Sequence, residues 1–409
     1  MSKTACLAIW LSLLSAGPLL AQAGNQDSSS DILSKFKAQV QSRADRGIYP
    51  IPGMNPNDAR EALARLKSLD KDDWAATWIE QGNRHMAVAK AAEPADRAKA
   101  REAYLTAWRM YNFGGWPARD SAGKEASYWQ SVDAFRNYAR LQEPAAELVQ
   151  IPFENSKIVG LLRLPSGRGP HPVVLLIGGL DQYKEFGSLT LDGPLMDRGI
   201  GYLALDMPGT GESPTKLEIG AERVYSKVID FLSARAEIDP RRIAVWGASA
   251  GGYWSALLAQ IERQRLKAAV VLGAPIDHYF DAEWQRKSFG TPEYAFGLKE
   301  TRMFVYGAKT EEEFFAKMAE FSLKKRGVLD KPWTATLVAN GAKDSQVPIS
   351  DVYITLEHGS PKYAWVRPDG GHVAMGPGYS LDRIYRESIM PWLVEQFASG
   401  GASGEVKPK

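Results

Sequence analysis

The sequence predicts an α/β fold: a mainly parallel sheet covered on both faces, with an N-terminal helical domain before it and a helical cap insert within it. Three observations carry this. From Ala146 onward, short continuous apolar runs alternate with helical stretches, the signature of parallel strands buried on both sides. Before Ala146 the pattern is helical. The stretch of about 277–331 is too long for a simple connection and is rich in aromatics and helix formers, including Phe304, Tyr306, Phe314, Phe315 and Phe321.

The elements follow in order. Residues 24–34 are polar and read as a flexible leader, and 35–145 as the helical domain. Asp72 or Asp73 is placed to cap a helix through Trp74 and Trp78, an i, i+4 pair. A second helix follows Pro94 and carries Tyr104, Leu105, Trp108 and Tyr111 on one face. A third carries Val132, Phe135 and Ala139, with Gly114-Gly115-Trp116-Pro117 as the break between them. Leu148–Phe153 and Ile158–Leu164 read as a hairpin that adds an antiparallel edge. Strands then fall at Val173–Ile177, Tyr202–Leu205, Ile243–Trp246, Ala268–Leu272, Thr336–Ala339 and Ala364–Val366. Helices are expected near Ser188–Arg198, Ala221–Ala234, from Ala250, near Ser350–Glu357 and over Leu381–Phe397, so the sheet domain spans 146–398. Residues 399–409 read as a disordered tail.

Composition bounds the function. The chain has 409 residues, 44% hydrophobic and 24% charged, with a net charge of +2. Its one dense basic cluster, Lys324-Lys325-Arg326, reads as a solvated helix end, so no nucleic-acid partner is expected. Lys3, an apolar run from Ala5 to Leu20, the breaker Gly17-Pro18 and a small-x-small site at Ala21-Gln22-Ala23 make a secretory signal peptide over 1–23. Cleavage is expected after about Ala23, with a periplasmic or secreted product and no stable membrane span. The single cysteine, Cys6, lies in that signal, so disulfides, cysteine catalysis and cysteine-ligated metals are not expected.

Gly247-Ala248-Ser249-Ala250-Gly251 is a G-x-S-x-G pattern with a buried-type strand entering it and a helix leaving it. That context is what a nucleophile elbow of an α/β-hydrolase requires: a sharp turn, with small neighbours, that lifts the serine oxygen above the sheet. Without the context the motif would be only a small-residue helix start. A serine hydroxyl needs an adjacent base. Of His85, His171, His278, His358 and His372, only His372 lies in a glycine-rich loop after the last strand, where the order Ser, Asp, His places the base. His278, which ends a strand, is the reserve candidate. The acid belongs in the loop after Thr336–Ala339, where Asp344 is the one carboxylate; its alternative role is to cap the following turn. Asp369 is too near His372 in sequence to face it. The oxyanion hole needs two N–H groups. Ala250 supplies one, and Gly179 or Leu180, in Gly178-Gly179-Leu180-Asp181, the other.

These residues, with Asp206-Met207-Pro208-Gly209-Thr210-Gly211-Glu212-Ser213, Gly247–Gly252 and the preceding helices, resemble the group of α/β-hydrolases that includes 2,6-dihydroxypseudooxynicotine hydrolase, fungal polyketide-shortening hydrolases and the fermentation–respiration switch proteins. The resemblance spans about Tyr49 to Phe397. It implies a triad, no metal or organic cofactor, a pocket between cap and sheet and, in many members, a homodimer. Members act as esterases or cleave carbon–carbon bonds beside a ketone. The export signal departs from a cytoplasmic catabolic role.

The expected reaction is carboxylester hydrolysis of a small to medium, partly apolar carbonyl substrate. The rivals are C–C hydrolysis of aryl ketones or diketones and a binding protein without turnover; a peptidase lacks a propeller or peptide-end clamp. For a carbanion leaving group, Asp277, His278, Asp281 and Glu283 are the nearby acids, although a surface role for them is preferred. Trp74, Trp78, Trp108, Trp116, Trp129, Trp254 and Trp284 read mostly as core. No P-loop or Rossmann glycine fingerprint supports a phosphate or nucleotide substrate.

Overall fold

A computed structural model describes residues 29–399; the stretch read as a signal peptide, the start of the stretch read as a leader and the residues beyond 399 lie outside that range. Five helices come first: α1 (Ser29–Arg46), α2 (Pro56–Arg65), α3 (Lys71–Ala92), α4 (Arg97–Gly115) and α5 (Ala122–Arg140). Helix α1 begins inside the stretch read as leader, because its Val40 and Ala44 are buried in the domain core and draw the segment into helix. The cap of α3 is Asp70 rather than Asp72 or Asp73. Its carboxylate accepts from the N–H groups of Asp72 and Asp73 at 2.8 and 3.1 Å. Asp73 instead accepts from Ser68 N–H at 2.7 Å, and Asp72 from Gly123 N–H at 2.8 Å, so both tie the helix to its neighbours.

The second part alternates strand and helix: β1 (Glu147–Phe153), β2 (Ser156–Arg163), β3 (His171–Ile177), α6 (Lys184–Met196), β4 (Gly201–Leu205), α7 (Arg223–Ser233), β5 (Ile238–Ala248), α8 (Ala250–Ile261) and β6 (Ala268–Leu272). The cap insert holds α9 (Ala282–Ser288), α10 (Leu298–Val305) and α11 (Glu311–Ala319). Then come β7 (Ala335–Gly341), α12 (Ser350–Glu357), β8 (Tyr363–Arg367), α13 (Leu381–Arg383) and α14 (Met390–Ala398). The last two were expected as one helix. A π-helical segment, Ile384–Ile389, separates them, and Pro391 follows at the start of α14. Proline has no N–H to continue the ladder and its ring crowds the carbonyl four residues back, so the turn before it widens.

The sheet order is β1-β2-β4-β3-β5-β6-β7-β8. The hairpin β1–β2 and the β2–β4 pair are antiparallel, and every pair from β4 to β8 is parallel. Strands β4 and β6 are buried at every residue, as their unbroken apolar runs require. One face packs on α7, α8 and the cap. The other packs on α6 and α14 and on Tyr104, Leu105, Trp108 and Phe135 of the N-terminal helices. Tyr294, Ala295 and Leu298 of the cap complete the N-terminal domain's own core around Trp74, Trp78, Phe113 and Trp116, so cap and helical domain share one apolar cluster.

Below the Gly178–Asp181 loop lies a buried ion cluster. Lys184 Nζ, on a side chain 1% exposed, sits 2.9 Å from Glu185, 2.8 Å from Asp206 and 2.9 Å from Glu212. Burial alone would depress the ammonium pKa; the surrounding carboxylates raise it well above its ordinary value. Replacing Lys184 by methionine strands these carboxylates without their counter-ion. The expected loss is about 3–5 kcal/mol of unfolding free energy in urea titration. A loss below about 1 kcal/mol would show the cluster to be dispensable.

Candidate active site

Strands β3, β5, β7 and β8 all release their chain at the carboxyl edge of the sheet, the edge where open α/β sheets hold their sites. The turn after β5 carries Ser249 at φ 55° and ψ −129°, a left-handed strain that a serine tolerates only when its surroundings over-determine it. They do so here. Ser249 N–H donates to Leu272 O at 2.8 Å, and its carbonyl accepts from Gly252 N–H at 2.8 Å. A side chain at Gly247 would collide with the Gly251 carbonyl, and one at Gly251 with the carbonyls of Ile177 and Gly178. The glycines are therefore what lets the β3 loop lie against the elbow.

His372 follows β8. Its Nε2 lies 2.9 Å from Ser249 Oγ and its Nδ1 lies 2.8 Å from Asp344 Oδ2. Asp344 is buried and follows β7. Its Oδ2 also accepts from Asn340 Nδ2 at 2.9 Å, and its Oδ1 accepts from the N–H groups of Gln346 and Val347 at 2.8 and 2.9 Å. The turn-capping role and the imidazole contact thus coexist in one carboxylate. Gly341 lets the two loops touch: a Cβ there would strike the Gly370 and Gly371 backbone. Lys343 N–H closes the contact on Gly370 O at 2.8 Å. Asp369 is held away by Arg367, 3.0 Å from it.

Burial pulls the His372 imidazole toward a lower pKa. The charge and hydrogen bond of Asp344 and the charge of Glu293 outweigh it, with Arg302 opposing them, and the net pKa lies above the usual 6.5.

Of the two candidate donors in the β3 loop, the structure removes one. Gly179 N–H is spent on Gln182 O at 2.8 Å, closing a tight turn. Among the described residues, the N–H groups of Leu180 and Ala250 donate to no protein acceptor. Ala250 also opens α8, whose dipole favours negative charge at that end.

His278 points elsewhere: its Nδ1 is 3.4 Å from Asp351, which also accepts the N–H groups of Ile276, His278 and Tyr279. His85 pairs with Asp58 at 3.0 Å and His358 with Asp330 at 2.7 Å. Asp277 accepts from Ser322 Oγ, and Asp281 and Glu283 are exposed. Trp74, Trp78, Trp108, Trp116 and Trp254 are core residues, whereas Trp129 is exposed; Trp284 donates to Gln346 O at 3.1 Å and pins the cap to the Asp344 loop.

Two contributors had no sequence signal. Glu293, in the cap, accepts from His372 N–H at 2.8 Å with one oxygen and from Ser345 N–H at 2.7 Å with the other, bracing the His372 loop against the Asp344 loop. Asn340 fixes Asp344 from inside β7. Neither position belongs to a motif or a periodic face.

The mainly parallel sheet and its carboxyl-edge site define an α/β-hydrolase. The chain belongs to the FrsA-like esterase family, whose model matches residues 59–357, and it is a hydrolase. Esterase FrsA of Yersinia enterocolitica is 28% identical over 321 residues, covering 72% of this chain and 74% of that one. The 20-hydroxy-prefusarin hydrolase of Gibberella moniliformis is 26% identical, covering 86% of this chain and 94% of its own. The solved 2,6-dihydroxy-pseudo-oxynicotine hydrolase superposes with a TM-score of 0.72 at 26% identity, covering 85% of this chain and 94% of that chain. AbyA5, at 20% identity and a TM-score of 0.64, shares the fold.

Proposed function

We propose that the chain is a serine esterase in which Ser249 is the nucleophile, His372 the general base and Asp344 the group that orients the imidazole. The observation that carries this is the continuous row Ser249 Oγ, His372 Nε2, His372 Nδ1, Asp344 Oδ2, with spacings of 2.9 and 2.8 Å. His372 takes the serine proton as Oγ attacks the carbonyl carbon. The negative oxygen settles between Leu180 N–H and Ala250 N–H. His372 then protonates the leaving alkoxide, and water releases the acyl group by the reverse path.

An ester suits the site better than a C–C bond. A carbanion needs a separate proton donor, and Asp277 and His278 are engaged with Ser322 and Asp351, while Asp281 and Glu283 face solvent. Short p-nitrophenyl esters assayed beside aryl ketones and β-diketones separate the two reactions. Ester turnover with inert ketones is expected; the reverse would replace this reading with C–C hydrolysis. We also propose export through the signal at 1–23, tested by N-terminal sequencing for a start at Gly24.

The raised pKa of His372 sets a pH dependence. Only the neutral imidazole accepts the serine proton, so kcat/KM rises with pH through the folded pKa. The midpoint of that acid limb is expected above pH 6.5. A profile whose limb falls below that value contradicts the electrostatic account.

A further inference from the structure

Asp181 stands next to Leu180 at the tip of the β3 loop and is buried, 8% exposed. Among the described residues its carboxylate hydrogen-bonds to none of the proposed row, yet three donors converge on its Oδ2. These are the hydroxyl of Tyr49, the indole N–H of Trp116 at 3.0 Å and the hydroxyl of Tyr294. Tyr49 lies between α1 and α2, Trp116 follows α4, and Tyr294 belongs to the cap. One carboxylate of the hydrolase core is thus gripped by both helical appendages.

The loop around it explains why a grip is needed. Gly178 N–H is tied to Leu205 O at 2.9 Å and Gly179 N–H to Gln182 O at 2.8 Å. Beyond the turn, Lys184 N–H is tied to Asp206 Oδ1 at 2.8 Å. Between these fastenings neither the Gly179–Leu180 peptide, which carries the Leu180 N–H, nor the Leu180–Asp181 peptide after it has a main-chain bond to a described residue that fixes its direction. The side chain of Asp181 is the fastening at the tip. Tyr49, Trp116 and Tyr294 form a mutually packed aromatic set, with the Trp116 and Tyr294 rings stacked at 5.3 Å. The donors are therefore rigid. Burial raises the carboxyl pKa of Asp181, and the hydrogen bonds from Tyr294, Tyr49 and Trp116 and the nearby His372 oppose that rise. Both phenols have pKa values well above the ordinary one, which keeps them protonated as donors.

We propose that Asp181 is a positioning residue for catalysis: anchored by Tyr49, Trp116 and Tyr294, it holds the Leu180 N–H on the developing oxyanion and makes the N-terminal domain and the cap part of the catalytic apparatus. This rests on Ser249 being the nucleophile.

The test compares wild type with Asp181→Asn, Tyr49→Phe and Tyr294→Phe on a p-nitrophenyl ester. It also measures inhibition by an aryl trifluoromethyl ketone, which Ser249 converts to a tetrahedral hemiketal as its proton passes to His372. Asp181→Asn is expected to lower kcat by about 10- to 100-fold with KM changed by less than about 3-fold. The ketone should lose affinity in the same proportion. Each tyrosine variant should move both quantities the same way by a smaller factor, and these two carry the test if Asp181→Asn does not fold. Wild-type kcat in all three variants would overturn the proposal. So would a fall in kcat with undiminished ketone affinity, since the contact with the tetrahedral oxygen would then be intact without the Asp181 anchor. Failure of wild type itself to turn over the ester would instead refute the serine-esterase reading.

Discussion

Replacing Ser249 by alanine is expected to lower kcat/KM for a carboxylic ester by about 10⁵–10⁶-fold while leaving the unfolding midpoint close to that of wild type. The two halves of this expectation have separate causes. The hydroxyl oxygen is the atom that would bond to the acyl carbon, and it is the group that His372 Nε2 meets at 2.9 Å. Serine is nonetheless an awkward residue for stability at φ 55°, and alanine meets the same backbone strain without adding atoms. The elbow is held by the Ser249 N–H and carbonyl bonds and by the glycines around it, all of which survive the change. Ester kinetics and a thermal melt on the same preparation check it. A variant retaining more than about a hundredth of wild-type activity would mean that another group attacks the substrate.

The second large effect is at Asp344. Asparagine there is expected to cost about 10³–10⁴-fold in kcat. The amide fits the same space, but its NH₂ facing His372 Nδ1 favours the tautomer with the proton on Nε2. In that state the ring cannot accept from Ser249. The change also removes the two largest interactions that raise the His372 pKa, both from Asp344, while the burial that lowers it persists. The acid limb of the residual activity should therefore move to lower pH than in wild type. A pH–rate profile of Asp344→Asn reads both effects. An unshifted limb would mean that Asp344 only caps the Gln346–Val347 turn.

Which parts of this were legible in the sequence follows from locality. The buried strands and the G-x-S-x-G turn are local: apolar runs of strand length, and glycines where backbones cross. The meeting of Asp344 and His372, proposed as acid and base, followed from chain order along a parallel sheet, since each lies in the loop at one strand's carboxyl end. The choice between Gly179 and Leu180 was not local. It turns on where Gln182 O points, and that oxygen takes the Gly179 N–H. The α3 cap was misplaced because three aspartates stand in a row of four, and only the helix's register selects Asp70. The start of α1 was hidden because its polar opening turn is drawn into helix by burial further along. Glu293 was invisible for a stronger reason. It lies in an insert without regular periodicity, and its two acceptors serve backbone groups far away in the chain, at His372 and Ser345. The same holds for the Asp181 cluster, whose four members come from four separate segments.

The most direct measurement is covalent. Folded, full-length protein treated with a fluorophosphonate and digested for mass spectrometry should carry one adduct, on the peptide containing Ser249, and His372→Ala should abolish its rapid formation. Unmodified Ser249 in the folded wild type, or an adduct on a different serine, would contradict the assignment of this hydroxyl as the nucleophile.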